Sequence, residues 1–277
     1  MQKNFIENIF NREATNLNNT LNLKISIITV CKNSQQFLNE TISSVVNQQY
    51  KNIEYIIIDG KSTDLTINII KQYVTHIAFW ISEEDEGMYD AINKGLKLAN
   101  GDYILILNSD DVLAHKNIIA DVVKEIKKER LDYYYGNIIK LKKEKCKAVK
   151  LFNVNYQQLL FSTHGTFAPH PCFFISKQLN IKLGGYDLTY KYASDYDYIL
   201  RALGTKDTKG KHLDLYITRF RIHNNSITAS GKINGDRLNI LLKNGYYKKA
   251  CLKRIYYYYK LWIYYKIINS GQKFKAG

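Results

Sequence analysis

The chain has 277 residues, a hydrophobic fraction of 45% and a formal net charge of +15 at pH 7. This length suits one medium-sized domain with an appendage or two small domains, and the apolar content is ordinary for a globular protein. A net positive charge of this size favours anionic partners such as phosphates or an acidic membrane surface, although a lysine-rich composition explains part of the charge. The four cysteines form no CxxC pair, which argues against a disulfide framework or a zinc site and favours a reducing compartment.

The two ends of the chain differ from its middle. Residues 1–23 are polar and rich in asparagine, lack the apolar core of a signal peptide, and are interpreted as an extension. No stretch of the sequence is apolar and uncharged for long enough to span a bilayer. We therefore expect a cytoplasmic protein that is soluble or bound to the periphery of a membrane.

Strands and helices alternate along the first half of the chain. Compact runs rich in β-branched residues predict strands at 24–31, 53–59, 77–81, 102–108 and 133–139. Apolar residues at helical spacing predict helices at 35–47, 64–73, 88–98 and 116–128. This alternation predicts an α/β fold with a mainly parallel sheet covered on both faces. From about residue 150 the pattern weakens.

Acidic residues follow two of the predicted strands. Asp59 ends the second strand, and Asp110 and Asp111 follow the fourth. Ligands of such sheets bind beyond the carboxyl ends of the strands, so these side chains are expected at one edge. Mg²⁺ and Mn²⁺ prefer oxygen ligands and often share their coordination with substrate phosphates. A bound cation of this kind would offset the repulsion between carboxylates that lie close together. On its own, an Asp–Asp pair after a strand is also typical of a solvated helix cap.

Four stretches of sequence, in this order and spacing, resemble the family 2 glycosyltransferases, which have the GT-A fold. They are SIITVCKNSQQFLNETISSVVNQ, IIIDGKSTDLT, SEEDEGMYDAINKGLKLANGDYILILNSDD and GGYDLTYKYASDYDYILR. The match covers about residues 24–225, and residues 85–95 most resemble bacterial members that build surface polysaccharides and lipopolysaccharide. The resemblance implies a GT-A domain over 24–230, after the extension at 1–23 and before a helical, basic and aromatic tail at 231–277.

The resemblance also implies an activity. An inverting enzyme of this family moves a sugar from a nucleotide diphosphate, by family habit UDP, to a hydroxyl of a glycan or lipid-linked glycan, with Mn²⁺ or Mg²⁺ as cofactor. The acceptor hydroxyl attacks the anomeric carbon opposite the leaving diphosphate, so a carboxylate is needed near that hydroxyl to take its proton. A divalent cation stabilises the charge that grows on the leaving group.

Roles for individual residues follow from the resemblance. The nucleotide-binding residues would be Val30, Lys32, Asp59, Asp85 and Asp110. The metal ligands would be Asp110, Asp111 and His223. Which of the two aspartates binds the ribose and which binds the metal is left open. Asp195 matches the catalytic base of the family, and Asp197 is the alternative. His170, which lies between the only two prolines, is either a sugar or acceptor contact or part of a rigid structural turn.

The sequence departs from the family pattern at three positions. Asn108 stands where many members have the first Asp of a DxD motif, and Ser194 stands where many have Glu before the base. Ile92 occupies the place of an Arg that helps to bind the diphosphate, so Lys94 or another base would have to compensate. An inactive member of the family therefore remains an alternative.

Basic and aromatic residues are mixed in the tail, where residues 246–275 include no acid. This mixture suits a lipid headgroup region, which fits an acceptor anchored in lipid. A helix packed on the domain with a solvated basic side is the competing interpretation. Stacking on nucleic acid would use similar residues but is the least favoured, and we expect no nucleic-acid partner.

Two other functions fit parts of the sequence. A sugar-nucleotide pyrophosphorylase also has an α/β nucleotide domain, but such enzymes have a glycine-rich loop with a basic residue after the first strand, where this chain has VCKNSQQ. A basic membrane- or nucleic-acid-binding module would use the tail alone. It would retain its function without Asp195, whereas a transferase would not.

Overall fold

The computed structural model describes residues 22–142, 145–151, 153–156, 159, 169–223 and 233–244. The N-terminal extension before residue 22 and the basic tail beyond residue 244 lie outside the described residues. The interpretations given for these two segments therefore stay predictions.

A single sheet runs through the described part of the chain, with strands in the order β3-β2-β1-β4-β8-β6-β9-β5 and β7 paired to β6. The strands are β1 (Ile25–Cys31), β2 (Ile53–Asp59), β3 (Phe79–Ser82), β4 (Tyr103–Ile106), β5 (Val112–Leu113), β6 (Tyr133–Lys142), β7 (Lys145–Val149), β8 (Phe173–Ser176) and β9 (Gly210–Arg221). From β3 to β4 all neighbours are parallel, as the sequence predicts. Beyond β4 the sheet is mixed, because β8 runs antiparallel to both β4 and β6 while β9 runs parallel to β6.

Seven helices connect or cover these strands within the described residues. They are α1 (Leu38–Val46), α2 (Thr66–Gln72), α3 (Met88–Leu98), α4 (Ile118–Lys128), α5 (Lys177–Leu183), α6 (Ser194–Gly204) and α7 (Ile233–Lys243). None of these described helices has both the length and the apolar character needed to cross a bilayer.

The parallel half of the sheet forms the centre of the core. Every residue of β1 is buried, which is why this strand is a continuous apolar run rather than an alternating one. Helix α3 lies close against β1, since a Cβ added to Gly95 would be 2.5 Å from Cγ2 of Ile28. Ile92 on the same helix is fully buried, so its side chain packs in the core. This packing places the carboxyl ends of β1, β2 and β4 together at one edge.

Two consecutive glycines redirect the chain between α5 and α6. Gly184 ends α5 with φ of 74° and Gly185 follows with φ of 87°, a region that favours glycine. Arg201 of α6 donates to the carbonyl oxygens of Leu183 (2.7 Å) and Gly185 (2.7 Å), which fixes the turn against the helix that begins next to Asp195.

Candidate active site

Asp59 is fully buried at the carboxyl end of β2. Its carboxylate accepts hydrogen bonds from the backbone N–H of Ser62 (2.9 Å) and the hydroxyl of Ser82 (2.7 Å). The thiol of Cys31, at the end of β1, lies 3.5 Å away, and burial raises the pKa of that thiol. Asp59 therefore holds together the loops that follow β2 and β3.

Asp85 and Lys32 meet above Gly60, the residue after Asp59. A Cβ at position 60 would lie 2.2 Å from Oδ2 of Asp85 and 3.3 Å from Cδ of Lys32. The Oδ1 atom of Asp85 accepts from the backbone N–H of Gly87 (2.9 Å), which precedes α3. The structure thus brings three of the predicted nucleotide-binding residues together, and the absence of a side chain at position 60 makes their approach possible.

The loop after β1 contacts the loop after β4. The hydroxyls of Ser34 and Ser109 lie 2.9 Å apart. Thr41 of α1 donates to the carbonyl oxygens of Ser109 (2.9 Å) and Asp111 (2.8 Å). Val30 is buried near the end of β1, opposite Ile58 of β2. These contacts connect the Asp59 region to the turn that contains the two neighbouring aspartates.

Asp110 and His223 face each other across the edge of the sheet. Oδ2 of Asp110 lies 2.9 Å from Nε2 of His223, and their side chains are 24% and 31% exposed. His223 follows the end of β9, where Arg221 donates from its backbone N–H to Asp111 (2.9 Å) and from Nε to the carbonyl oxygen of Asp110 (3.0 Å). The guanidinium of Arg221 also lies 4.3 Å from the centre of the Phe37 ring. Arg221 therefore positions His223 beside Asp110.

Asp111 has a different environment from its neighbour. It is fully buried, with Oδ1 accepting from the backbone of Arg221 (2.9 Å) and Oδ2 accepting from Nδ2 of Asn108 (2.9 Å). Burial, and next the charge of Asp110, raises the pKa of the Asp111 carboxyl. The expectation that Asp111 is a metal ligand does not fit this geometry, because both of its oxygens hold the turn and the strand β9 together. Asp110 is the aspartate of the pair that reaches the surface.

The donor atoms fit a divalent cation only in part. No group of three or more His, Cys, Asp or Glu side chains within the described ranges is arranged to hold a metal ion. Asp110 and His223 supply one carboxylate and one imidazole at the same point. Mg²⁺ in nucleotide-dependent enzymes usually has one or two protein carboxylates and takes its remaining ligands from substrate phosphates and water. The pair therefore fits a cation whose coordination the substrate completes.

Asp195 lies in the first turn of α6, where the partial positive charge of the helix N-terminus favours a carboxylate. Its Oδ1 accepts from the hydroxyl of Tyr89 (3.1 Å) and from the backbone N–H of Tyr196 (2.9 Å). Burial raises the pKa of Tyr89, so the hydroxyl stays protonated and donates. The Asp195 side chain is 26% exposed. Ser194, by contrast, is fully buried and donates to the carbonyl oxygen of Asp187 (2.8 Å).

Asp197 is unsuited to be the alternative base. Its carboxylate is buried and lies 2.6 Å from Nε of Arg201, one helical turn further along α6. A buried carboxylate in an ion pair is not available to a substrate hydroxyl. Asp195 is thus the aspartate of this segment that solvent reaches.

His170 lies between the aspartate-containing turn and Asp195. Its Nε2 is 2.8 Å from Oδ1 of Asn108, and its Nδ1 is 3.7 Å from Oδ2 of Asp195. The ring is buried, and burial lowers the pKa of His170 despite the opposing effects of Asp195 and Asp110. The expected sugar or acceptor contact does not fit a buried ring, whereas a structural role between Asn108 and Asp195 does.

The profile of the family described as glycosyl transferase family 2 matches residues 26–184. The chain belongs to this family. Among proteins similar to it, an uncharacterised glycosyltransferase of Mycobacterium tuberculosis is 30% identical over 184 residues, which is 64% of this chain and 68% of that protein. A PGL/p-HBAD biosynthesis glycosyltransferase of Mycobacterium bovis is 26% identical over 199 residues, which is 70% of this chain and 75% of that protein.

Solved structures show the same fold. Staphylococcus aureus TarS 1–349, crystallised with UDP-GlcNAc, has a TM-score of 0.66 at 18% identity, covering 79% of this chain and 64% of the TarS chain. The mannosyltransferase PcManGT of Pyrobaculum calidifontis, in complex with GDP-Man and Mn²⁺, has a TM-score of 0.58 at 15% identity, covering 84% and 66%. This chain therefore spans less than two thirds of the length of either neighbour. The predicted GT-A fold of this family 2 glycosyltransferase is confirmed.

Sequence reasoning about this glycosyltransferase did not single out Tyr89 or Arg221. Both act through contacts between distant parts of the chain, since Tyr89 and Asp195 are 106 residues apart and Arg221 and Asp111 are 110 residues apart. No local pattern marks either residue. The departure from the family pattern at Asn108, however, was visible in the sequence. The Asn108 side chain accepts a hydrogen bond from His170 and donates one to Asp111, a combination that an ionised aspartate could not make.

Proposed function

We propose that this enzyme is an inverting, metal-dependent glycosyltransferase that moves a sugar from a nucleotide diphosphate to a hydroxyl of a glycan or lipid-linked glycan. The observation that supports this most strongly is the contact path from Asp110 to Asp195. Asn108 belongs to the same turn as Asp110 and bonds to His170, whose other nitrogen faces Asp195. Contacts through the side chains of Asn108 and His170 thus link the turn of the proposed metal-binding carboxylate to the carboxylate of the proposed base.

The donor nucleotide is proposed to bind beside β1 and β2. Asp85 and Lys32 converge above Gly60, where a carboxylate suits ribose or base hydrogen-bond donors and a lysine suits phosphate. Asp59 and Val30 lie below them, and Asp59 fixes the loops by its own hydrogen bonds. UDP is the proposed carrier, which the UDP-GlcNAc complex of the TarS neighbour supports. GDP is the second candidate, because PcManGT was crystallised with GDP-Man.

Asp110 and His223 are the proposed ligands of Mn²⁺ or Mg²⁺. A cation held by these two residues would supply Lewis-acid stabilisation of the leaving diphosphate. Arg221 supports this assignment because its three hydrogen bonds, to Asp111, to Asp110 and to Glu40, set the position of the chain just before His223. The Mn²⁺ in the PcManGT complex supports the choice of metal.

Asp195 is the proposed general base. Two donors hold Oδ1, so Oδ2 is the oxygen left to receive the proton of the acceptor hydroxyl. As the proton leaves, the acceptor oxygen forms its bond to the anomeric carbon, and the bond from that carbon to the diphosphate oxygen breaks with its electrons. Tyr89 and the backbone of Tyr196 keep the carboxylate in place during this step.

The acceptor is proposed to be a glycan of the cell surface, made at the cytoplasmic face of the membrane. The name of one relative, a PGL/p-HBAD biosynthesis glycosyltransferase, supports a biosynthetic role, and a surface polysaccharide or lipopolysaccharide is the proposed product. The catalytic domain is proposed to extend over 24–230, and the tail over 231–277 is proposed to contact the membrane.

A lysine-rich face of the β6–β7 hairpin supports peripheral membrane contact. In this antiparallel pair Lys140 lies opposite Lys147 and Lys142 lies opposite Lys145, and all four are exposed. Directly opposed like charges destabilise a sheet. An anionic lipid surface relieves that repulsion and attracts each lysine by about 1 kcal/mol.

A panel of nucleotide sugars tests the proposal. The full-length enzyme is heated with UDP-GlcNAc, other UDP-sugars or GDP-mannose, each with and without Mn²⁺, and the cognate donor raises the unfolding temperature only in the presence of the metal. Release of nucleoside diphosphate from that donor indicates transfer to an acceptor or to water. Formation of nucleoside triphosphate from the sugar nucleotide and pyrophosphate would indicate a pyrophosphorylase and contradict the proposal.

A further inference from the structure

The two oxygens of the Asp195 carboxylate have different partners. Oδ1 accepts from the hydroxyl of Tyr89 and from the backbone N–H of Tyr196. Oδ2 lies 3.7 Å from Nδ1 of His170. Within the described residues no hydrogen bond reaches Oδ2, and Nδ1 is a buried nitrogen that also lacks a hydrogen-bond partner. A buried nitrogen without a partner therefore faces a carboxylate oxygen that no described protein donor reaches, at the point where the proposed base would receive its proton.

The hydrogen-bond network decides which nitrogen of His170 bears the hydrogen. Asn108 uses its Nδ2 to donate to Asp111, so its Oδ1 points at Nε2 of His170. A carbonyl oxygen only accepts, and hence Nε2 must donate. In the neutral ring, which burial favours by lowering the pKa of His170, Nδ1 then has a lone pair and no hydrogen.

A lone pair on Nδ1 suits one state of Asp195 better than the other. The ionised carboxylate is acceptor-only and offers Nδ1 nothing, which matches their separation of 3.7 Å. Once Oδ2 bears a proton it becomes a donor, and a movement of about 1 Å brings the pair to hydrogen-bond distance. The buried lone pair is thus satisfied only after proton transfer.

We propose that His170 is a positioning residue that accepts a hydrogen bond from Asp195 after Asp195 has taken the proton of the acceptor hydroxyl, an inference that rests on the proposed function. The proton moves from the acceptor oxygen to Oδ2 of Asp195 and stays there, while the freed electron pair forms the glycosidic bond. His170 acts on the reaction only through Asp195. Its Nε2 serves a separate purpose, since it holds Asn108 and with it the turn that contains Asp110.

Because Nδ1 of His170 faces Asp195 and Nε2 contacts Asn108, two substitutions can test these two contacts separately. In His170→Asn the side-chain amide reaches about as far as Nδ1, so an acceptor oxygen remains next to Asp195 while the contact with Asn108 is lost. In His170→Gln the amide reaches about as far as Nε2, so the contact with Asn108 remains while the acceptor next to Asp195 is lost. Each variant is therefore the matched control of the other.

The experiment measures kcat and KM for release of UDP from UDP-GlcNAc, or of the corresponding diphosphate from whichever donor the panel identifies, with the full chain and Mn²⁺. We expect His170→Gln to lose about tenfold in kcat, the effect of one hydrogen bond in the transition state, with KM for the donor within about twofold of wild type. We expect His170→Asn to retain a higher kcat than His170→Gln.

The opposite order of kcat, with His170→Gln equal to wild type and His170→Asn impaired, would assign His170 to holding Asn108 alone and overturn the inference. If His170→Gln fails to fold, His170→Asn is compared with His170→Ala, and equal kcat values overturn it in the same way. If the wild-type enzyme releases no nucleoside diphosphate from any donor, it is the proposed function that fails, and the inference falls with it.

Discussion

Oδ2 of Asp110 and Nε2 of His223 lie 2.9 Å apart although 113 residues separate them in the chain. Strand β9 makes this contact possible, because its pairing with β5 brings Arg219 opposite Val112, directly after the aspartate-containing turn. A carboxylate and an imidazole at this distance are the two residues proposed to bind the metal ion.

We expect Asp110→Asn and His223→Ala each to weaken the Mn²⁺-dependent binding of the donor by about tenfold or more, because each removes one of two protein ligands. Chelation with EDTA should abolish the donor-induced stabilisation of the wild-type enzyme. Titration of Mn²⁺ against donor-induced thermal shift measures both effects.

A second Asp–His pair provides the control for the metal prediction. His115 and Asp121 lie 3.9 Å apart on the surface, beside α4. Asp121→Asn removes a carboxylate from a similar pair outside the proposed site, and we expect it to leave the Mn²⁺ dependence unchanged. Equal losses in Asp121→Asn and Asp110→Asn would show that the effect is one of overall charge and not of coordination.

The two aspartates of α6 should give opposite results when each is changed to Asn. Asp195→Asn removes the proposed base from a partly exposed site, and we expect kcat to fall by about 10²- to 10⁴-fold with thermal stability nearly unchanged. Asp197→Asn breaks the buried ion pair with Arg201, and we expect a loss of about 3 kcal/mol of unfolding free energy with a smaller effect on kcat per folded molecule.

Steady-state kinetics and urea unfolding of the two variants provide the comparison. A module that only binds membranes or nucleic acid would tolerate Asp195→Asn. Retention of full transfer activity in Asp195→Asn, or its loss in Asp197→Asn without any loss of stability, would contradict the assignment of the base.

The first half of the fold was predictable from the sequence, and the second half was not. Buried parallel strands such as β1 and β2 are continuous apolar runs, so the sequence shows both where they lie and which residue follows each one. Strand β5 has two residues and β8 has four, which is too short for a periodic pattern. The antiparallel pairing of β8 with β4 and β6 was therefore not visible.

Within the site, the sequence indicates residue types but not their orientations. Asp110 and Asp111 are adjacent and chemically identical, and tertiary contacts such as that of Arg221 from β9 decide that Asp111 is buried while Asp110 stays partly exposed. Likewise, the place of His170 depends on Asn108, which is 62 residues away. Such choices follow from tertiary contacts, which no local pattern contains.

Position 60 offers a test of the proposed nucleotide pocket that leaves every charge in place. A methyl group in Gly60→Ala would lie 2.2 Å from Oδ2 of Asp85 and must displace that side chain. We expect KM for the donor to rise about tenfold while kcat at saturation changes little, because the pocket and not the base is disturbed. Donor titrations of the purified variant provide the measurement.

Gly235→Ala is the matched control for Gly60→Ala. Gly235 lies in α7, where an added Cβ meets nothing within 4 Å. Because alanine favours a helix more than glycine does, this variant should be as stable as wild type or slightly more stable, with an unchanged KM. A normal KM in Gly60→Ala would remove Asp85 from the proposed pocket.

Replacing two lysines of the lysine-rich face of the β6–β7 hairpin by glutamate should weaken membrane binding and at the same time stabilise the fold. In the double variant Lys140→Glu/Lys142→Glu each new carboxylate lies opposite a lysine, at Lys147 and Lys145. We expect the unfolding free energy to rise by about 0.2–1 kcal/mol per pair, because repulsion is replaced by attraction. Binding to vesicles that contain phosphatidylserine should weaken by about 10³-fold, since the four charges of the face, each worth about 1 kcal/mol, then cancel.

Sedimentation of the full-length protein with vesicles of phosphatidylserine and phosphatidylcholine measures the affinity, and urea unfolding measures the stability. The control Lys140→Arg/Lys142→Arg keeps both charges and should bind vesicles as the wild type does. Because exposed charges are screened by salt, the difference between the Glu and Arg variants should shrink between 50 mM and 500 mM NaCl. Equal vesicle binding by the two variants at low salt would exclude the hairpin from membrane contact and leave the tail beyond residue 244 as the remaining candidate.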